Sequence, residues 1–140
     1  EVSKKMKFML NLIVSFSIIC IVSQGKELSP LVVDHWKAMM RPYHEVCLNE
    51  TQIDPEIPNR LFSKSQFPDE KLFHCYLECM HEKLKFLVDG KFSVNNMVAA
   101  VYMLNAELAQ KCVDDAHSVE EKCARSYVLV QCVAIGVAEE

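Results

Sequence analysis

The sequence predicts an all-α domain cross-linked by three disulfides. Six cysteines, Cys47, Cys75, Cys79, Cys112, Cys123 and Cys132, are separated by 27, 3, 32, 10 and 8 residues. Past residue 25, glycine occurs only at Gly90 and Gly136. The apolar residues of that stretch recur at three- and four-residue spacing, with no sustained period-two alternation, which is the helical signature.

The N-terminal 25 residues stand apart. Lys4, Lys5 and Lys7 precede an apolar run from Phe8 to Val22, and Ser23 and Gly25 are small residues placed at −3 and −1 of a cut before Lys26. A basic flank, a short apolar stretch and a small-residue cut describe a secretory signal peptide. The run falls short of the ~20 apolar residues that span a bilayer. Residues 1–25 therefore read as a signal peptide, with Met6 as initiator, and residues 26–140 as one secreted helical domain without stable membrane insertion. Removal of the leader takes Cys20 with it and leaves an even six cysteines in an oxidising compartment. It also removes Lys4, Lys5, Lys7 and Glu1, leaving 12 basic and 18 acidic side chains and a net charge of −6. An acidic domain of this kind does not suit nucleic acid or an anionic membrane surface.

Each element has a local cause. Ser29 caps a first helix with Pro30 at its first position, and Val32, Trp36, Met39, Met40, Tyr43 and Cys47 form its apolar stripe. Pro42 kinks or splits that helix, because proline cannot donate to the preceding turn. Asp54-Pro55 starts a short second helix through Leu61. Phe67-Pro68-Asp69 starts a third, striped with Leu72, Phe73, Tyr76, Leu77, Met80, Leu84 and Leu87 and stopped at Asp89-Gly90. Ser93 caps a fourth, with Met97, Val98, Val101, Leu104 and Leu108 inward, and Asp114 to His117 make a polar break. The last helix starts near Ser118 with Glu121 completing a capping box, and from Tyr127 to Val137 it is apolar almost all round. A helix of that composition is either buried centrally or meets something apolar on both sides.

Cys75 and Cys79, four residues apart, share one helix face. A bond between them would constrain little, whereas bonds to other helices would tie the bundle. Fifteen connectivities are open, and spacing alone does not choose among them. Zinc held by Cys75, Cys79 and His74 or His81 is the competing chemistry. It lacks a second close ligand pair and sits where thiols oxidise.

The intervals Cys75-Tyr-Leu-Glu-Cys79 and Cys123-Ala-Arg-Ser-Tyr-Val-Leu-Val-Gln-Cys132, with Phe67-Pro68-Asp69, Asp89-Gly90-Lys91-Phe92 and Glu121-Lys122-Cys123-Ala124, resemble the insect odorant-binding protein family over the whole domain. The resemblance implies a compact bundle of about six helices around an apolar cavity. It implies pairing of the first cysteine with the third, the second with the fifth and the fourth with the sixth: Cys47–Cys79, Cys75–Cys123 and Cys112–Cys132. Cross-links worth ~3–4 kcal/mol each offset the cost of a cavity, about 24 cal/mol per Å³.

The function implied is a secreted carrier of small hydrophobic molecules, odorants or pheromones, through an aqueous fluid such as sensillum lymph. No cofactor, catalytic residue or metal is implied. The implied partners are the small hydrophobic ligand and an olfactory receptor complex, with the chain a monomer or weak homodimer. By position, the pocket wall is Trp36, Met40 and Tyr43 from the first helix, and Met80, Leu84 and Phe86 from the end of the third. Phe92, Met97, Val101 and Leu104 follow from the fourth region, then Tyr127, Val130 and Val133 from the last helix. Without the resemblance, such aromatic and methionine stripes read as ordinary core. Burying ~250 Å² of guest at ~25 cal/mol per Å² is worth about 6 kcal/mol before association costs, which points to micromolar affinity.

His81 and Tyr127 each offer a hydrogen bond to an alcohol, ester or aldehyde oxygen. Beside Glu82, His81 reads as solvent-facing. Asn49-Glu50-Thr51 is a glycosylation sequon in a predicted turn.

Enzyme readings find little. The chain has no Gly-rich phosphate loop, HExxH or GxSxG. Asp114-Asp115 and Glu120-Glu121 are adjacent carboxylates on solvated segments. His74-Cys75 lacks the paired cysteines and Gly-rich calcium loop of secreted phospholipases. The rival class is a secreted disulfide-rich effector that binds a protein through an exposed apolar patch over a filled core. A saposin-like lipid domain would need other cysteine spacing.

Overall fold

The computed structural model describes residues 27–63 and 67–139. The signal-peptide reading lies outside those residues. The chain runs α1 (Pro30–Met40), a 3-10 turn (Arg41–Tyr43), α2 (His44–Thr51), α3 (Glu56–Ser63), α4 (Lys71–Lys83), β1 (Leu87–Val88), β2 (Lys91–Phe92), α5 (Val94–Ala100), α6 (Ala106–His117) and α7 (Lys122–Glu139). The described residues are all-α apart from one short antiparallel hairpin.

The caps that start the first helices are those written in the sequence. Ser29 Oγ accepts from the Val32 amide at 3.4 Å with Pro30 in the first turn of α1. Pro42 divides α1 from α2 through the 3-10 turn. Asp54 Oδ1 accepts from the Glu56 amide at 2.9 Å and opens α3.

Farther along, the boundaries differ from expectation. α4 begins at Lys71 and ends at Lys83, well before Asp89-Gly90. Those two residues, at φ of 52° and 74°, form the two-residue loop of the hairpin, in which Leu87 pairs with Phe92 and Val88 with Lys91. Asp-Gly is the preferred loop here because both central residues of the turn need positive φ.

The predicted fourth helix is two helices. Ser93 Oγ caps α5 through the Asn96 amide, and Asn105 Oδ1 caps α6 through the Leu108 amide at 2.8 Å. Between them Val101 is extended and Met103 sits at φ 67°. The predicted break at Asp114–His117 is the last turn of α6. Its side chains are held by i,i+4 pairs, Gln110 to Asp114 and Lys111 to Asp115, each at 2.8 Å. The true break follows at Ser118–Glu121, and Glu121 itself caps α7 by accepting from the Ala124 amide at 2.6 Å. Asn49 of the sequon lies in the last turn of α2, not in a turn between elements.

α7 is the central helix. It packs along α4 on one side and α6 on another, which is why it is apolar almost all round. At Gly136 a Cβ would overlap the Leu108 side chain, so glycine sets how closely α6 approaches α7. The disulfides join Cys47 to Cys79, Cys75 to Cys123 and Cys112 to Cys132. α4 is thereby tied to α2 and to α7, and α6 to α7.

Two clusters of buried residues result. One gathers Val32, Trp36, Phe86, Met97, Val101, Leu104 and Leu129 with the inner faces of α6 and α7. The other gathers Leu48, Ile53, Leu61, Phe73, Tyr76, Leu77 and Met80 around α2, α3 and α4. No described helix is long and apolar enough to cross a membrane.

Candidate ligand cavity

An apolar cavity of about 60 Å³ lies at the seam of the two clusters. Both clusters supply its wall, so neither closes completely there. α1 contributes Trp36, Met39 and Met40; α3 contributes Leu61; α4 and its end contribute Leu77, Met80, His81 and Leu84. Phe86, Met97, Val101 and Leu104 come from the hairpin and the α5 region, and Leu129, Val130 and Val133 from α7.

Ten of the residues expected from sequence meet at this one place: Trp36, Met40, Met80, Leu84, Phe86, Met97, Val101, Leu104, Val130 and Val133. Tyr43, Phe92 and Tyr127 are not among its lining residues. Tyr43 falls in the 3-10 turn, where the chain leaves the α1 stripe, and packs against the α2–α4 cluster instead. Tyr127 belongs to that cluster too. Its ring stacks on His74 at 4.0 Å, its hydroxyl donates to the Phe67 carbonyl at 3.2 Å, and the Gln131 amide donates to it at 2.9 Å. Phe92 stands behind the wall, its ring edge-on to His81 with centroids 5.7 Å apart.

Met39, Leu61, Leu77, His81 and Leu129 line the cavity without having been expected there. A signal existed. Leu77, Met80, His81 and Leu84 are spaced i, i+3, i+4, i+7, the stripe that one helix face must carry. His81 is on that stripe and is 6% exposed, not solvent-facing. Its charged neighbour Glu82 points the other way and is exposed.

The electrostatics of the wall are simple. Trp36 has its indole N–H bonded to the Tyr102 carbonyl at 3.1 Å. His81 is held with its ring beside Phe86, at 6.2 Å between centroids, and Phe92. Its Nδ1 is sealed from solvent and has no hydrogen-bond partner. Burial alone pushes the imidazole down from 6.5 to about 4, so it is neutral at physiological pH. The remaining lining side chains are hydrocarbon or thioether.

Met40 also borders a second, open groove with Lys37, Arg41, His44, Glu45, Pro58, Asn59 and Tyr76. One thioether side chain thus belongs to both the interior and an outer polar surface.

Among the described residues, one group of side chains has the spacing of metal ligands. Cys75 and Cys123 lie near the Glu78 carboxyl, but their sulfurs share one disulfide, which leaves no thiolate to hold a cation.

The pattern of the PBP/GOBP family matches residues 31–134 of the chain. No curated protein matches it with significance.

Proposed function

This chain belongs to the PBP/GOBP family, the insect odorant- and pheromone-binding family, and from that premise we propose that it is a secreted carrier that sequesters one small hydrophobic molecule in the cavity between its two core clusters. The observation that carries the reading is the wall itself. Side chains from α1, α3, α4, α5 and α7 converge on one apolar space inside a shell cross-linked three times. Such a space removes a poorly soluble molecule from water without offering it a reactive group. The family is one of binding proteins, and the lining has no nucleophile or acid–base pair to suggest otherwise.

A cavity of about 60 Å³ is smaller than the ~150 Å³ space that accepts benzene. A guest of that size or larger is therefore accommodated by movement of the wall. Met39, Met40, Met80 and Met97 supply that movement, since unbranched thioethers change shape at low cost. Met40, shared with the outer groove, is the side chain through which we route ingress.

The test is uptake of the fluorescent probe N-phenyl-1-naphthylamine by the oxidised protein, followed by displacement with volatile alcohols, aldehydes, esters and terpenes. Micromolar displacement is expected. Val133→Phe, which projects a ring into the cavity, is expected to weaken probe binding at least tenfold. Its stability cost should stay within the ~1–3 kcal/mol of an overpacked core. A folded protein that ignores the probe would instead favour the rival reading, an effector that binds a protein partner over a filled core.

The secreted part of the proposal rests on residues 1–25, with their basic flank, apolar run and small-residue cut. Expressed in cultured insect cells, the protein is expected in the medium with a mass that begins at Lys26 and includes three disulfides. Retention in the cell with an intact leader would argue against it.

A further inference from the structure

Of the three residues Asn49-Glu50-Thr51 the fold turns one outward, and we infer that Asn49 carries an N-linked oligosaccharide on the last turn of α2. The inference rests on the secretion proposed above and adds a modification site that lies apart from the cavity.

The triplet is the one Asn-X-Ser/Thr of the chain, and its middle residue is not proline. Its three side chains have different fates. The Glu50 carboxylate reaches α4 and accepts from Lys83 Nζ at 2.7 Å. The Thr51 hydroxyl donates back to the Cys47 carbonyl at 2.7 Å. Asn49 is exposed, and the bond it makes to Gln52 uses its main-chain carbonyl, which leaves the carboxamide to solvent. One turn back, Glu45 and Val46 are exposed as well, so the surface beside Asn49 is open. Helical side chains lean toward the N-terminus, so a sugar on Asn49 is directed over Val46, an apolar side chain otherwise left 43% exposed.

In the finished fold the triplet is helical and its threonine is engaged. The sugar is therefore added before α2 closes, and the order of the chain provides that interval. α2 has eight residues, fewer than the ~12–15 that hold an isolated helix in water. The bond that pins it, Cys47–Cys79, needs a cysteine 32 residues farther along. Gln52, at φ 56°, ends the helix directly after Thr51. A chain that enters the secretory compartment N-terminus first thus presents the triplet unwound before Cys79 arrives.

The donor class is an oligosaccharide on a lipid diphosphate. The Asn49 carboxamide nitrogen attacks the anomeric carbon, and a C–N bond forms as the C–O bond to the diphosphate breaks. The lipid diphosphate leaves with that electron pair, and the amide gives up one proton. α2 supplies no side chain to the cavity wall, so a sugar there leaves the space for the guest unchanged.

The experiment expresses the whole chain, leader included, in cultured insect cells. Mass spectrometry of the secreted product is done before and after peptide N-glycosidase A, which accepts the fucosylated cores these cells make. Most wild-type molecules are expected to be heavier than polypeptide 26–140 by one core oligosaccharide. The enzyme should remove that excess and leave aspartate in place of Asn49 in the peptide map, a readout that needs no variant to fold. Asn49→Gln and Thr51→Ala should be secreted at the bare polypeptide mass, whereas Thr51→Ser should keep the sugar. Wild-type protein secreted mainly at the bare mass would mean that α2 closes first, and would overturn the assignment. An excess mass that survives in Asn49→Gln would overturn it too. Wild-type protein retained in the cell with an intact leader would instead sink the secretion reading, and this inference with it.

Discussion

Replacing Cys75 and Cys123 together by alanine is expected to lower folding stability by about 4 kcal/mol, the chain-entropy value for a loop of this length. The bond spans 48 residues, the longest of the three, and joins α4 to α7. Domains of this size have only ~5–15 kcal/mol in total, so the variant should be the least stable of the three single-disulfide deletions. The cavity should suffer along with the fold. α4 supplies Leu77, Met80 and His81 and α7 supplies Leu129, Val130 and Val133, so this bond joins two of the helices that line the cavity. Urea unfolding at pH 7 measures the first effect and probe uptake the second. A stability loss below about 1 kcal/mol would mean that packing between α4 and α7 already confines the chain and the entropic account of the bond fails.

The second large effect is a fall in stability with acid that belongs to one residue. Burial lowers the imidazole of His81 from 6.5 to about 4 in the folded protein. The unfolded chain therefore binds this proton at a higher pH than the folded one. The contribution is complete above pH 6.5, declines as pH falls from there, and is gone below about pH 4. A shift of that size corresponds to about 3 kcal/mol. Folding also raises the Glu78 carboxyl, first by burial and then through nearby Glu82. The comparison must therefore be differential. Between pH 7 and pH 4, the wild-type protein is expected to lose about 3 kcal/mol more than His81→Leu in urea unfolding. Parallel curves would mean that the proton is accepted inside the fold without penalty, through a rearrangement that exposes the ring.

Much of this molecule could be read before its coordinates. Ser29-Pro30, Pro42 and Asp54-Pro55 act through bonds to residues two to four away, so their effect is visible in the sequence itself. The cysteine ladder carried long-range information of a kind that periodicity does not. The misreadings have local causes as well. Asp89-Gly90 reads as a helix stop in the sequence, although Leu87-Val88 and Lys91-Phe92 on either side make it a hairpin loop. The helix start at Asn105 is masked in the sequence because the stripe Val101, Leu104, Leu108 keeps helical spacing through the interruption, and only the cap reveals it. Charged side chains on Asp114 and Asp115 suggested a break, yet i,i+4 partners hold them on a helix.

The cavity was legible in part for a different reason. Periodicity gives the face of a helix but not which of two neighbouring clusters that face serves. Tyr127 and Leu129 are both buried on α7, and only Leu129 turns toward the cavity. His81 was hidden by its chemistry. A histidine between Met80 and Glu82 reads as surface until the third dimension places it behind Phe92.

The methionines that give the wall its pliancy also limit how long it remains apolar. Secretion exposes a protein to oxidants with no cytosolic repair, and a thioether that becomes a sulfoxide is polar, chiral and stiffer. Met39 and Met40 are half-buried and Met40 also borders the outer groove, while Met80 and Met97 are almost fully shielded at 1% and 2% exposure. Ageing of this protein would thus begin at its doorway, where an added oxygen places a strong acceptor at the threshold of a hydrocarbon space. In a secreted carrier the working lifetime would then be limited by the redox exposure of the half-buried wall methionines, even while three cross-links keep the shell intact.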